Sequence, residues 1–339
     1  MISFDKAYYE GLMRTNGYDP FEFHFDFNLK ISEQELQLKF LCHHGMDRFV
    51  NEFDQEKSII TTFMSPPHIG TISQLMRILK INQAIDTQIV LDLDAYCGKG
   101  ISLEQVLRYK DQYKMFIEKL YKNTKKIIRD QYNHPEILRT SYLISPYAND
   151  EMFNKAEEDL HSFYVQHNKV DSEMSYKRKV SLSLMIADFL DLLGNSYCLK
   201  KYSNVVMLGV DEHQYVRFIQ LLKHLAENSK DYTVSNINIA AMYTPIIKGF
   251  NNYPKQSKSF KDSSINANSS KDDIYNKIMH QEDYGCPEES VVYQMMTANL
   301  ELNEYKEAYL ACQKKGTKRQ SIKQEFADYL IDILSEREE

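Results

Sequence analysis

The stretch KSIITTFMSPPHIGT, residues 57–71, decides the fold. Its first eight residues are rich in β-branched side chains (Ile59, Ile60, Thr61, Thr62) and read as a buried strand over 57–64. Ser65, Pro66, Pro67 and Gly70 then form a turn cluster. Beyond it, apolar residues recur three to four apart at Ile72, Leu75, Met76 and Leu79, so the turn opens a helix. A second strand follows at 88–93 (QIVLDL). Strand, turn, helix and strand in this order begin a parallel α/β sheet.

Further along, Ser102 followed by Gln105 fits a helix-starting capping box, and Val106, Tyr109, Tyr113, Phe116 and Leu120 share one apolar face. The pattern reads as mostly helical from about 100 to Leu193, with Gly194 as a stop. Strands return at 204–208 (NVVML) and 237–243 (INIAAMY), separated by a helix carrying Val216, Ile219, Leu222 and Leu225. Residues 250–272 are rich in Asn, Ser and Lys and are expected to form a mobile loop. Ile274, Ile278, Val291, Val292, Met295 and Met296 predict helices after it. The expected organisation is an N-terminal extension (1–45), a Rossmann-type parallel sheet (46–260) with a helical insertion at about 100–200, and a C-terminal all-helical domain (261–339).

Composition narrows the function. With 41 basic and 48 acidic residues the net charge is −7, so nucleic acid must be met by a local patch and not by a globally basic surface. Cys42, Cys97, Cys198, Cys286 and Cys312 form no CxxC pair and are odd in number, which points away from zinc and from a disulfide framework and towards a reducing compartment. The most apolar run, 180–193, contains Asp188 and Asp191 and is shorter than the roughly 20 residues of a spanning helix. No basic region followed by an apolar core opens the chain, so the expectation is a cytoplasmic protein without membrane contact.

Two short segments carry chemistry. At 67–71 the strand-to-helix turn offers a helix N-terminus, which suits phosphate, with Gly70 leaving room for a flat ligand and His68 able to donate to a phosphate oxygen. At 255–259, Lys255 and Lys258 are interleaved with Ser257 and Ser259 in a loop that can fold over a triphosphate. Either alone is most simply a solvated turn. The first, however, follows the first core strand, and the second comes 187 positions later, after the strand expected to end the sheet.

With HIGT at 68–71 and KQSKS at 255–259, the chain resembles the class I aminoacyl-tRNA synthetases, whose signatures are HIGH and KMSKS. Gly209-Val210-Asp211-Glu212 resembles the GxDQ segment of the tyrosyl and tryptophanyl subgroup, and 209–217 (GVDEHQYVR) is most like the eukaryotic and archaeal tryptophanyl branch. The resemblance implies ATP and Mg²⁺, an amino-acid carboxylate attacking the α-phosphate, and transfer of the acyl group to tRNA by a homodimer. It implies that His68 and Thr71 face the phosphates and Gly70 the adenine. Gly209 and Ser257 belong to the same ATP-binding segments, Asp211 holds a ribose hydroxyl or the substrate ammonium, and Lys255 and Lys258 stabilise the departing pyrophosphate.

The amino-acid pocket departs from that pattern. Thr61 or Thr62, Leu91, Tyr96, Glu212 and Lys248 occupy the five places where the tryptophanyl relatives carry tyrosine, glutamine and glutamate, and none matches. Asp94 is a further candidate at the rim. Glu212 and Lys248 either pair with each other or leave Lys248 to recognise a second carboxylate on the substrate. Lys314, Lys315, Lys318, Arg319 and Lys323 are the candidates for contacts to tRNA phosphates. Three functions follow: a tryptophan–tRNA ligase, a paralogue that activates another acid or uses another acceptor, or a binding protein without catalysis. Retention of His68, Gly70, Asp211, Lys255 and Lys258 argues against the last.

Overall fold

The computed structural model describes residues 4–20, 32–46, 56–63, 67–82, 86–97, 100–122, 126–157, 159–193, 202–230, 238–281, 286–314 and 316–334. Seven strands form one sheet: β1 (Asp19–Pro20), β2 (Cys42–His44), β3 (Glu56–Phe63), β4 (Asp86–Leu91), β5 (Lys126–Asp130), β6 (Tyr202–Gly209) and β7 (Asn238–Thr244). Their spatial order is β1-β2-β7-β6-β3-β4-β5. The five strands from β7 to β5 are parallel, whereas β2 runs antiparallel to β7 and β1 antiparallel to β2. Numbered among themselves, the parallel strands run 3-2-1-4-5, the doubly wound order whose switch point lies between β3 and β6.

The central strands β6 and β7 carry continuous apolar runs, Val205 to Leu208 and Ile239 to Tyr243, because both faces are covered. Alternate residues feed two different cores. Ile89, Leu91, Val205, Met207, Ala240 and Met242 join a cluster with the helix Ile69–Asn82, while Val90, Val206, Leu208, Ala241 and Tyr243 join one with the helices Tyr176–Leu193 and Gln214–Asn228. The C-terminal helices Lys271–His280, Val291–Asn299, Leu302–Gln313 and Thr317–Leu334 share the first cluster through Ile274, Val292, Ala308 and Phe326. Among the described residues no helix is long and apolar enough to cross a membrane. Among the described residues Cys42, Cys97, Cys286 and Cys312 form no disulfide.

Three local expectations need correction. The stretch 100–200 does not read through as helix, because β5 lies inside it and pairs Thr87 with Lys126 through to Leu91 with Asp130. Only Ile127 and Ile128 mark that strand as apolar, and charged neighbours on both sides hide them. Part of 1–45 belongs to the sheet, since β1 and β2 extend it beyond β7. The segment after β7, expected to be loose, is tied by its own hydrogen bonds, described below. The expected cap at Ser102 is present, its hydroxyl accepting from the Gln105 amide at 3.3 Å at the head of the helix Leu103–Leu120.

Candidate active site

Because β3 and β6 are adjacent and parallel, both chains leave the sheet at the same edge, and a cavity of about 470 Å³ opens there. His68, Gly70 and Thr71 enter from the β3 side, Gly209, Asp211 and Glu212 from the β6 side, and Lys255, Ser257 and Lys258 from the segment after β7. The two signature segments are also joined by backbone. Ile69 N–H donates to Ile265 O at 2.8 Å and Ala267 N–H to Pro67 O at 2.9 Å, around a β-bridge between His68 and Asn266.

The turn at 68–71 is a capping unit. The imidazole Nδ1 of His68 accepts from Gly70 N–H at 3.2 Å, and the Thr71 hydroxyl accepts from His68 N–H at 3.2 Å. Thr71 Oγ1 also lies 2.9 Å from His68 O and 2.8 Å from the Tyr113 hydroxyl. Two consequences follow. The N–H groups of Ile69 and Gly70 already have partners, so phosphate recognition falls to side chains more than to the bare helix terminus. With Nδ1 accepting, the proton of the neutral ring sits on Nε2, the nitrogen suited to donate to a phosphate oxygen. Gly70 is required by the ring itself: a Cβ there would stand 2.9 Å from His68 Cε1.

The lysine segment is a knotted turn. Gly249 N–H donates to Tyr253 O and Gln256 N–H to Ile247 O, both at 3.0 Å, with Asn251 and Asn252 in the left-handed region that asparagine tolerates. A Cβ on Gly249 would meet Lys255 O at 2.6 Å. The Ser263 hydroxyl accepts from Ser257 N–H at 3.1 Å and lies 2.8 Å from Phe260 O. Gln256, at the methionine place of the signature, is buried and donates to Lys248 O at 2.8 Å, a packing role. Phe260 packs on Phe163, Tyr164, His167 and Tyr253, so the helix His161–Gln166 clasps the turn from outside.

Asp211 is buried and forms an ion pair with Lys255, whose ammonium also lies 5.8 Å from the Tyr164 ring centroid. Gly209 makes room for that carboxylate, since a Cβ there would be 2.7 Å from Asp211 Oδ1. Of the amino-acid candidates, Glu212 lines the cavity. Leu91 is instead a core residue, Tyr96 is 47% exposed, and Lys248 is half-buried with its amide donating to Gln294 at 2.8 Å; none of these three is among the lining residues. Thr61 and Thr62 lie on β3 opposite Ile89 and Val90, and Asp94 opens the short helix Asp94–Cys97; their side chains lie outside the described ones.

The cavity also contains residues that sequence reading missed. Glu157 is paired with Arg178 at 2.5 Å and lies 3.1 Å from His161 Nδ1. Arg77 lines the inner wall, 3% exposed, with burial pulling its pKa down to about 10. Behind the lining residue Ile246, the N-terminal helix Lys6–Asn16 places Tyr9, whose hydroxyl accepts from Ile246 N–H at 3.1 Å and is held protonated by burial. It also supplies Tyr8, which donates to Asp159. Burial would raise the pKa of Asp159, but hydrogen bonds from His213, Tyr8 and Gln214 outweigh it and hold the carboxyl below its usual range. Arg77 carried a legible signal, a charge inside a helix whose other core positions are Ile69, Ile72, Leu75, Ile78 and Ile81. In the cavity wall five Lys and Arg side chains face three carboxylates, an excess that favours an anionic ligand.

The tail candidates divide. Lys323 is 1% exposed and donates to Gln281 O at 3.0 Å, closing the C-terminus of the helix Lys271–His280, so it is withdrawn from any RNA surface. Lys318 is exposed and pairs with Glu307 at 2.6 Å. Lys314 and Arg319 are on the surface, and Lys315 lies outside the described residues.

An open parallel sheet of order 3-2-1-4-5 with a cavity at its switch point defines a nucleotide-type α/β fold. The particular version is that of the tryptophanyl- and tyrosyl-tRNA synthetases. Tryptophanyl-tRNA synthetase of the archaeon Aeropyrum pernix K1 superimposes with a TM-score of 0.75 at 18% identity, over 97% of this chain and 92% of that one. A tryptophanyl-tRNA synthetase homolog from Entamoeba histolytica gives 0.68 at 12% identity over 96% and 91%. Tyrosyl-tRNA synthetase from Aeropyrum pernix gives 0.62 at 14% identity over 91% of each. No protein-family model matches the sequence, and no curated protein matches it. At these identities the likeness establishes the fold.

Proposed function

We propose that this chain is an ATP-dependent ligase that activates a carboxylic acid as its adenylate, in the manner of the synthetases whose fold it has. The observation that carries the reading is the convergence of His68, Asp211, Lys255 and Lys258 on one cavity at the switch point. The acid's carboxylate attacks the α-phosphorus of ATP in line, and the bond to the bridging oxygen breaks as pyrophosphate leaves. Little covalent work falls to the protein, so placement and charge stabilisation dominate. His68 Nε2 donates to the phosphate, and Lys258 and Lys255 neutralise the leaving group. Lys255 must turn from Asp211 to the phosphates as ATP enters, which frees the carboxylate for a ribose hydroxyl or the substrate ammonium. Mg²⁺ would arrive on the ATP phosphates.

The acceptor proposed is tRNA, met in part through Lys314, Lys318 and Arg319, by a cytoplasmic homodimer, as the resemblance implies. Tryptophan is the amino acid the resemblance names. A second reading, a paralogue that activates another acid or passes it to another acceptor, is favoured by the charged wall of the cavity around Glu212 and Arg77. ATP–pyrophosphate exchange with Mg²⁺ and each amino acid in turn tests the reading. Exchange that Lys258→Ala slows far more than it weakens acid binding supports it; equal losses in both remove Lys258 from the leaving group.

A further inference from the structure

Arg77 is the feature of the cavity that the nucleotide does not explain. It projects from the helix Ile69–Asn82 seven residues beyond Gly70, about 10 Å deeper along the axis at the usual rise. The phosphates belong at the mouth, between the His68 turn and the lysine segment, and Arg77 leaves the helix two turns further on.

Its surroundings do not neutralise it. Among the described residues Pro245 O lies 3.5 Å from Nη1, and Nε is buried without a hydrogen-bond partner. Among the described residues no carboxylate pairs with it, in contrast to Arg178, which has Glu157, and Lys255, which has Asp211. The titratable group that acts on it is the Tyr9 phenol, which burial keeps neutral. Lys39, another buried cation close enough to be felt, has its own partners in Glu35 and in the carbonyls of Thr297 and Leu300. A buried guanidinium without a counter-charge is costly, and it is normally matched by a ligand when it faces a binding cavity. The Tyr9 hydroxyl, behind the lining residue Ile246, accepts from Ile246 N–H and retains its own hydrogen to give.

We infer that the acid activated here carries a second carboxylate, and that Arg77 reads it from the floor of the cavity. The inference rests on the adenylation reading and deepens it, since the reacting carboxylate must lie at the mouth and the second one about a side chain's length further in. A neutral indole in that place would leave the guanidinium buried and unmatched. A site built to pair a polar group rejects analogues lacking it by factors of about 100 or more.

The test combines thermal denaturation without ATP and ATP–pyrophosphate exchange, with L-aspartate, L-glutamate and L-2-aminoadipate set against L-asparagine, L-glutamine and L-tryptophan. The expected result is stabilisation and exchange with one of the dicarboxylic acids, at least about 100-fold better than with its neutral counterpart. In Arg77→Met that preference disappears while the ligand-free melting temperature does not fall, and Arg77→Lys recovers part of it. A merely structural guanidinium would instead lower the melting temperature and leave the preference intact, which overturns the inference. So does a wild-type preference for tryptophan or another neutral acid, or an absence of stabilisation by every dicarboxylic acid. Stabilisation by a dicarboxylic acid with no exchange for any acid supports Arg77 as the reader and overturns the adenylation reading instead.

Discussion

The ion pair between Lys255 and Asp211 makes the sharpest quantitative demand on the site. Asp211 keeps 4% of its side chain exposed and Lys255 18%, so the carboxylate depends on its partner far more than a surface acid would. Lys255→Met removes the cation and leaves the carboxylate in place. Breaking a fully buried pair costs about 3–5 kcal/mol, and the partial exposure of the lysine lowers the expectation to about 2–4 kcal/mol. Asp211→Asn alone should cost less, and the double variant should be more stable than the sum of the two losses by about 1.5–3 kcal/mol. Urea denaturation of the four proteins measures this directly. Saturating ATP should shrink the coupling, because Lys255 then turns to the phosphates and no longer faces Asp211. Additive losses without ATP would mean that the pair is not a working unit, and a coupling unchanged by ATP would refute the exchange of partners proposed for Lys255.

Other outcomes follow from single residues. Gly70→Ala should leave stability within about 1 kcal/mol, as helix propensity gained offsets capping lost, yet slow exchange by about 10- to 100-fold, because the new Cβ displaces the His68 ring. Lys323→Met should destabilise by about 1–3 kcal/mol in urea through the uncapped carbonyls of Met279 and Gln281, and should leave the salt dependence of any RNA binding unchanged. Burial holds Lys39 at about 8, below the ordinary value near 10.4 of the unfolded chain. Between pH 8 and about 9.5 the unfolded chain therefore binds more protons, and stability should rise with pH by up to about 1.4 kcal/mol per unit from this group. That contribution should vanish in Lys39→Met, as read by urea midpoints across the range.

What could be read from the residues followed from how loudly each pattern speaks. The β-branched run at 57–64, broken by Pro66 and Pro67 and followed by Gly70, speaks for a strand leading into a helix, and both stand where it predicts, within a residue or two at the strand and with the helix opening at Ile69. The meeting of HIGT and KQSKS was legible because β3 and β7, parallel on either side of β6, deliver their following segments to one edge. β5 was not, because two isoleucines among charges do not announce a strand that the sheet's edge recruits by pairing. Lys323 looked like part of a basic surface, yet it stands three, four and seven residues before Phe326, Ala327 and Leu330, on the buried face of its helix. The pocket residues were least legible. A cavity wall is assembled from the helix after β3, residues between 156 and 185 and the segments after β6 and β7, and although Arg77 stands out as a charge among apolar positions, no local pattern tells it which of these it will face.

The central claim is that ATP is cleaved between its α- and β-phosphates to join AMP to an acid. Single-turnover acid quench with α-labelled ATP, Mg²⁺ and the acid panel observes that bond directly. About one equivalent of labelled acyl-adenylate held on the protein, with pyrophosphate released, is the expected result. Labelled ADP, or ATP recovered intact with every acid although it binds, would contradict the claim.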